Sequence, residues 1–385
     1  VPGFLDRRSA REDSYTRALG WLGRRGGRGL ELAVRLDLLR SLRPGAALRR
    51  LRGESRAARQ RDDSVRPGYR RLWSHAAAQL GAEISDPGDG FLEIHRGDER
   101  TRVWHSWAGL DDAVTIRFAE DKTLARRALL AAGLPVPEQR SFRLADLGPA
   151  RELLESLGGS FVVKPTDAAG GSGATTGVRT TAQLQRAALR AGRLSDQLLI
   201  ERQVEGDLYR VLLLDGEVLD VIRRDPPRVV GDGRSSVAEL VAAENDARVA
   251  AAEGGRTGLL RIDLDAVFSL EHQGLRPSSV PAAGQSVTVK TVVNQNGPRD
   301  NRSVRDRASA ALLEDSAAAA GAIGLRLAGV DLITGDPGRS LRDGSGGVIE
   351  VNGTPGLHYH YHPEDPERSV PVAVPILERA LAAGS

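Results

Sequence analysis

A few lysines and a trio of oxygen-bearing side chains carry most of the chemistry legible in this chain. Of its 54 basic residues only Lys122, Lys164 and Lys290 are lysine. Arginine is a broad planar fork and lysine a compact point charge, so a position that keeps lysine against this bias is a candidate for a site that needs the smaller head. For any one of the three, chance survival explains it as well. Lys164 ends the apolar run SFVVKP (160–165), and the loop DAAGGSGATT (167–176) follows it. Glycines let a backbone come close to phosphate with its amides turned inward. No GK[ST] closes the loop, so it is not a Walker-type phosphate loop; taken alone, it reads equally as a plain hairpin connection. Asp331 follows LAGV, and Glu350 and Asn352 stand two apart in GVIEVN (347–352), which puts them on one face of a strand. Unpaired carboxylates among apolar neighbours are costly. Such a trio suits one or two Mg²⁺ that bridge phosphate oxygens; alternatively, Glu350 pairs with an arginine and Asp331 caps a turn. Cations, bare backbone amides and metal-holding carboxylates are together what a nucleoside triphosphate requires.

The elements that must position these groups alternate between strand and helix. Helical spacing is expected over YRRLWSHAAAQLG (69–81) and DKTLARRALLAAGLPVP (121–137), the latter closed by Gly133 and barred from continuing by Pro135 and Pro137. FLEIHR (91–96) and TRVWHSW (101–107) read as strands, as do SFVVKP, LLIERQV (198–204), SVTVKTVV (286–293), LAGVDLIT (327–334) and GVIEVN. LYRVLLLDGEVLDVIRRD (208–225) is a hairpin turning at Asp215-Gly216. Helices are expected from Ser235 or Ser236, over the Ala-rich 307–325, and at the end of 370–384. No internal repeat is visible, and the alternation argues α/β or α+β.

Composition narrows the class. With 385 residues, 40% of them hydrophobic, the chain can build two or three cores, and with 4% aromatics these rest on Leu, Val, Ile and Ala. The absence of cysteine rules out a disulfide framework, a thiolate zinc site and a cysteine nucleophile. No apolar run is long enough to span a bilayer, and the first residues lack the apolar stretch of a signal peptide. A soluble cytoplasmic protein is the expectation. Val1 in a chain without methionine fits an alternative start codon read literally, or a processed or truncated start. Residues 1–62 are Arg-rich, with Leu30, Val34, Leu38 and Leu42 near one helical face. Arginine clusters attract phosphate, but no aromatic interleaving accompanies them, so a solvated helical face is favoured over a nucleic-acid arm.

The order DK…AGLPVP, VVKP…GGSG, IERQVEGDLYRV, AGVDLI and EVNGTPG resembles the ATP-grasp superfamily. RRDPPRVVGDGRSSVAEL (223–240) and HQGLRPSSVPAAGQSVTV (272–289) are similar to the ATP-grasp part of cyanophycin synthetases and of bifunctional glutathione synthetases. The likeness covers roughly residues 110–360. It implies an α+β ATP-grasp fold, with a subdomain carrying the lysines and glycine loop (121–202) and a subdomain carrying the magnesium ligands and acceptor region (203–385); composition and periodicity put an Arg-rich helical leader (1–62) and a short α/β front domain (63–120) before them. It implies a carboxylate–amine ligase that makes an amide through an acyl phosphate and releases ADP and phosphate. ATP with two Mg²⁺, or Mn²⁺ in their place, are the implied cofactors. Amino acids or short peptides are the implied substrates, and a homodimer is compatible with the family; neither membrane nor nucleic acid is an expected partner.

Carried onto this chain, the resemblance assigns the ATP phosphates to Lys122 and Lys164, the latter under the loop of Gly170, Gly171, Ser172 and Gly173. Glu201, Gln203 and Val204 belong to the hinge strand against adenine, Asp207 to the ribose, and Asp331, Glu350 and Asn352 to magnesium. Arg210 is placed toward the phosphates or the acyl phosphate. Relatives carry Asn-Leu-Ser-x-Gly-Gly where this chain reads VNQNGPRDN (293–301), near the acceptor, so Lys290 or Arg299 is expected to hold a substrate carboxylate or the transferred phosphoryl group. His358, His360 and His362 would share one face if extended, as a metal site would need. A substrate-facing loop whose His and Tyr offer hydrogen bonds is the preferred reading. Two rivals remain: a phosphotransferase on the same fold, and a non-catalytic nucleotide-binding scaffold with an Arg-rich arm.

Overall fold

The structure, a computed structural model, describes residues 68–166, 168, 170–251, 259–296, 300–344, 346–361 and 369–383. The expected leader (1–62), Arg299 and His362 lie outside the described residues.

The front module is a helix on a small sheet. In α1 (68–79), Tyr69, Leu72, Trp73, Ala76 and Ala77 recur at helical spacing and are all buried. They pack on Leu92, Ile94 and Val103 of the antiparallel sheet β1 (Glu83–Gly88), β2 (Phe91–Arg96) and β3 (Glu99–Trp104). β1, with Pro87 and three acidic or small polar residues, has no readable alternation and was not expected. The strand expected to run to Trp107 stops at Trp104, because the chain turns at His105 (φ 51°) and Trp104 and Trp107 exchange backbone hydrogen bonds across the turn; Trp73 donates from Nε1 to the His105 carbonyl at 2.8 Å.

Next come α2 (Ala113–Glu120) and α3 (Lys122–Ala131), each started by an aspartate cap, Asp112 and Asp121. Gly133, at φ 69°, ends the second as expected. A four-stranded antiparallel sheet follows, built from β4 (Gln139–Arg143), β5 (Phe161–Pro165), β6 (Thr175–Val178) and β7 (Gln197–Arg202) in the order β4-β7-β5-β6. Helices α4 (Gly148–Leu157) and α5 (Thr181–Ala191) cover one face around Phe142, Phe161 and Ile200.

The larger sheet consists of β8 (Asp207–Leu214), β9 (Glu217–Arg224), β12 (Asn301–Ser303), β13 (Leu327–Thr334) and β14 (Gly346–Asn352), in the order β12-β9-β8-β13-β14, all antiparallel. Period-two alternation sorts its side chains. Val211, Leu213, Val330 and Leu332 face α8 (Ala310–Ile323). On the other face Leu212, Leu214 and Leu327 bury against the front module and the last helix, α9 (Ala373–Ala383). The rest of that second face carries Arg210, Arg224, Asp331, Glu350 and Asn352.

Between β9 and β12 the chain leaves this sheet. β10 (Arg228–Val230) pairs with β11 (Ser286–Thr288), and α6 (Val237–Ala251) and α7 (Leu264–His272) complete a small core around Val237, Ile262 and Val287. Leu264, Val267 and Phe268 of α7 also pack into the core of the four-stranded sheet. The strand expected over 286–293 ends at Thr288. Val289 donates its amide to the Pro227 carbonyl, and Lys290 turns into the interior.

Candidate active site

Asp121 accepts hydrogen bonds from the Thr123 and Leu124 amides, each at 3.0 Å, and so makes Lys122 the first residue of α3. From there Lys122 Nζ donates to the Ala168 carbonyl at 3.1 Å and lies 3.2 Å from Glu350 Oε1. One lysine thus touches both the glycine loop and the acidic edge of the larger sheet. Lys164, four residues before Ala168, forms a 2.7 Å ion pair with Glu201 on the neighbouring strand β7. Gly170, Gly171 and Gly173 have φ of 61°, 67° and 75°, a region closed to most side chains. A Cβ on Gly173 would stand 2.9 Å from Leu194. Ser172 between them is exposed.

In the hinge, the Arg202 and Gln203 amides donate to the Glu138 and Ser160 carbonyls. The Gln203 side chain accepts from the Gly177 amide at 2.9 Å and from Ser160 Oγ at 3.1 Å, so it braces the hinge. Val204 is half-buried, and Asp207 pairs with Arg223 at 3.1 Å.

Across the larger sheet, Arg210, Asp331 and Glu350 are successive register partners, and Asn352 pairs with Gly329. Arg210 clasps Asp331 through Nε at 2.7 Å and Nη2 at 2.6 Å. Burial works to lower the Arg210 pKa, but the charge and hydrogen bonds of Asp331 outweigh it and hold it above the ordinary value. Asn352 Nδ2 donates to the Gly329 carbonyl at 3.1 Å and to Asp331 at 3.4 Å, which turns its amide oxygen the other way. Among the described residues no three His, Cys, Asp or Glu side chains gather as a metal cluster. The donor set here is two carboxylates and one amide oxygen, all hard ligands, which fits a magnesium ion that shares its shell with phosphate oxygens.

Arg224 was not expected at this site. It lies on the Arg210 face, its guanidinium carbon 4.4 Å from the centre of the Tyr359 ring, with Arg210 at 5.6 Å from the same ring. Arg224 is 5% exposed and its Nε has no hydrogen-bond partner. Burial, then the nearby charge of Arg210, pushes its pKa down. A buried cation placed this way is costly without an anion.

Lys290 is placed otherwise than expected. It is 2% exposed and ion-paired with Asp263 at 2.8 Å, and Arg190 holds the same Asp263 oxygen at 2.6 Å. A substrate carboxylate would have to displace Asp263. The histidine run is likewise not extended: Leu357–His360 is a 3₁₀ turn. His360 Nδ1 is 2.7 Å from Asp220 Oδ2, both fully buried, and His358 Nδ1 is 3.0 Å from Tyr69 Oη. His358 and His360 therefore have separate partners and do not form a shared metal face.

Comparison with known proteins places this geometry in context. No family model matches the chain. It is 32% identical over 275 residues to the cyanophycin synthetase of Trichormus variabilis, which covers 71% of this chain and 30% of that protein. It is 32% identical over 292 residues to the glutathione biosynthesis bifunctional protein of Mannheimia succiniciproducens, covering 74% and 38%. Among solved structures, a bifunctional glutathione synthetase from Pasteurella multocida superposes with a TM-score of 0.51 at 27% identity, covering 79% of this chain and 42% of that one. The chain thus spans about a third of the length of these curated relatives.

Proposed function

The chain belongs to the ATP-grasp superfamily, in the part that resembles cyanophycin synthetase, and we propose that it is an ATP- and magnesium-dependent carboxylate–amine ligase. The observation that carries the reading is Lys122, which reaches the glycine loop and Glu350 at once. It joins the phosphate-binding side of the cleft to the metal-binding side.

In this reading Lys122, Lys164 and the amides of the glycine loop hold the triphosphate, and the hinge 201–204 with Asp207 holds the nucleoside. Asp331, Glu350 and Asn352 would hold the magnesium, two ions in this reading, with Mn²⁺ able to take their place; bound metal would neutralise phosphate charge. Arg210 and Arg224 draw the substrate carboxylate toward the γ-phosphorus and stabilise the charge that builds on transfer. The carboxylate oxygen bonds to phosphorus and ADP leaves. An amine then attacks the acyl carbon and phosphate departs. The glycine loop and the segment 223–240 would serve as lids that keep water from the acyl phosphate. The lysine-bearing subdomain is 121–202 and the metal-bearing one 203–385, with 228–289 returning to the former through α7.

Amino acids or short peptides are the substrate class this reading names, with a homodimer as the assembly. No described helix is long and apolar enough to cross a membrane. The test is a pool of amino acids and dipeptides with ATP and Mg²⁺, read by phosphate release and product mass. Amide product with equal ADP and phosphate supports the ligase. ADP without free phosphate and without need of an amine overturns it.

A further inference from the structure

If the chain is the ligase proposed above, some group must take a proton from the incoming amine, and the geometry points to His358 as that base. An amine bearing its full proton has no lone pair for attack, and α-amino groups have pKa values of about 8 or higher. Imidazole, with a reference pKa of about 6.5, is neutral and able to accept a proton at pH 7.

Two histidines follow the metal-binding strand within the described residues, and their surroundings separate them. His360 is fully buried and bound through Nδ1 to Asp220, whose other oxygen accepts from Ser303 Oγ at 2.6 Å. Burial would raise the Asp220 pKa, but these partners and the Val221 amide hold it low. The pair acts as a rivet that fastens the 3₁₀ turn to β9 and β12. His358, two residues earlier on the same turn, is only half-buried. Its ring lies 4.0 Å from the Tyr359 ring, the ring that Arg224 and Arg210 overlie. A contact chain therefore runs from the Asp331–Arg210 pair through Tyr359 to His358.

The front module orients the ring. Tyr69 Oη lies 3.0 Å from His358 Nδ1, and the two rings meet edge-on with centroids 5.8 Å apart. When Nδ1 carries the hydrogen and donates it to Tyr69 Oη, Nε2 presents its lone pair as the base. Gly356 leaves room for this packing, since a Cβ there would stand 2.9 Å from both the His358 and Tyr359 rings. Among the described residues, ring contacts link His358 to Tyr69 from α1, with His105 behind Tyr69, and to Tyr359 on its own turn, over which Arg210 and Arg224 from β8 and β9 lie.

The step balances without a further reagent. His358 Nε2 takes one proton from the ammonium group and so frees its lone pair; the amine nitrogen bonds to the acyl carbon, the bond from that carbon to the phosphate oxygen breaks, and phosphate leaves with the electron pair and takes up the second proton that the nitrogen sheds. His358 is then a catalytic residue for the second half-reaction only.

Hydroxylamine separates the half-reactions, because it is already neutral at pH 7 and traps an acyl phosphate as a hydroxamate. The assay uses the full chain, ATP, Mg²⁺ and pooled amino acids, with and without hydroxylamine. His358→Gln is expected to slow amide formation by about 10²–10⁴-fold, while hydroxamate formation falls far less. In the parent enzyme, amide formation is expected to decline at acid pH as the base becomes protonated, and His358→Gln should lack that limb. Tyr69→Phe removes the acceptor of Nδ1–H, which should lower the imidazole pKa and move the limb to lower pH. Equal losses with both nucleophiles, or a limb unchanged in His358→Gln, overturn the role of His358 and leave the ligase reading standing. A parent enzyme that makes neither amide nor hydroxamate overturns that reading, and the base with it.

Discussion

Arg210 and Asp331 face each other in register on adjacent strands, and the guanidinium closes on both carboxylate oxygens at 2.7 and 2.6 Å. Lysine keeps the charge but cannot reproduce the fork. Arg210→Lys should therefore remain folded, as read by circular dichroism, and lose about 10–10²-fold in the rate of ADP formation. Arg210→Ala strands a buried carboxylate and should cost about 3–5 kcal/mol of stability.

Glu350 sits beside Asp331 and is the partner of Lys122. Glu350→Gln removes the charge proposed to hold the metal, while the amide keeps the shape. ADP formation should fall by at least about 10²-fold, with the melting temperature close to that of the parent. The residual rate should require more Mg²⁺, measured by titration. Full turnover at the original Mg²⁺ midpoint would sink the assignment of Glu350 to the metal.

Gly206 links the hinge to β8 at φ 127°, and a side chain there would overlap the Thr334 carbonyl. Both strain and collision oppose substitution. Gly206→Ala should lose at least about 2 kcal/mol in denaturant unfolding. Gly216, also at positive φ but with open space around it, should lose less on the same change.

Asp263 is the acid-sensitive core of its lobe. Burial would raise its pKa, but Lys290 and Arg190 outweigh burial and hold it well below the ordinary carboxylate range. The unfolded chain takes up this proton more readily than the folded one, so the pair's contribution is fully present above the unfolded value of about 3.9. It is lost as pH falls through the lower folded value. Lys290→Met should destabilise the protein at pH 7 by about 3–5 kcal/mol, since Asp263 stays buried with one partner fewer. It should also flatten the acid limb of the stability curve. A selective rise in the KM of one substrate, with stability unchanged, would instead place Lys290 at the substrate.

Much of the backbone that carries the candidate residues was legible because its signals are local. The spacing of Glu350 and Asn352, the apolar run ending in Lys164 and the Asp215-Gly216 turn each need only a few residues to read. Arg224 was not legible for a definable reason. A two-residue turn at 215–216 pairs Leu214 with Glu217, and continuing that register puts Arg223 on the Arg210 face. Between Leu212 and Leu213 the register shifts by one residue, so Arg210 pairs with Ile222 and Arg224 takes the cleft side. The pairing of Lys290 was not legible for the opposite reason: its partner Asp263 lies 27 residues away on the lobe that leaves the large sheet. The rarity of lysine marked a position worth keeping, without saying for what.

The shifted register gives a paired test. Arg224→Ala should reduce ligation by about 10²-fold or more through loss of charge stabilisation. Arg223→Ala, which touches Asp207 and Asp225, should mainly weaken nucleotide affinity. Equal defects in both would contradict the division of the two arginines between opposite faces.

Lys122–Glu350 and Arg210–Asp331 also bear on how the two cofactors arrive. Each pair couples a cation that a triphosphate would claim to a carboxylate that a divalent ion would claim. Drawing one partner away releases the other for its own ligand, so nucleotide and metal should recruit each other. Thermodynamic reciprocity then requires each to tighten the other's binding by the same factor. The cleft would discriminate against free nucleotide and against stray divalent ions alike, because each arriving alone must dissolve a pair that nothing else has yet loosened.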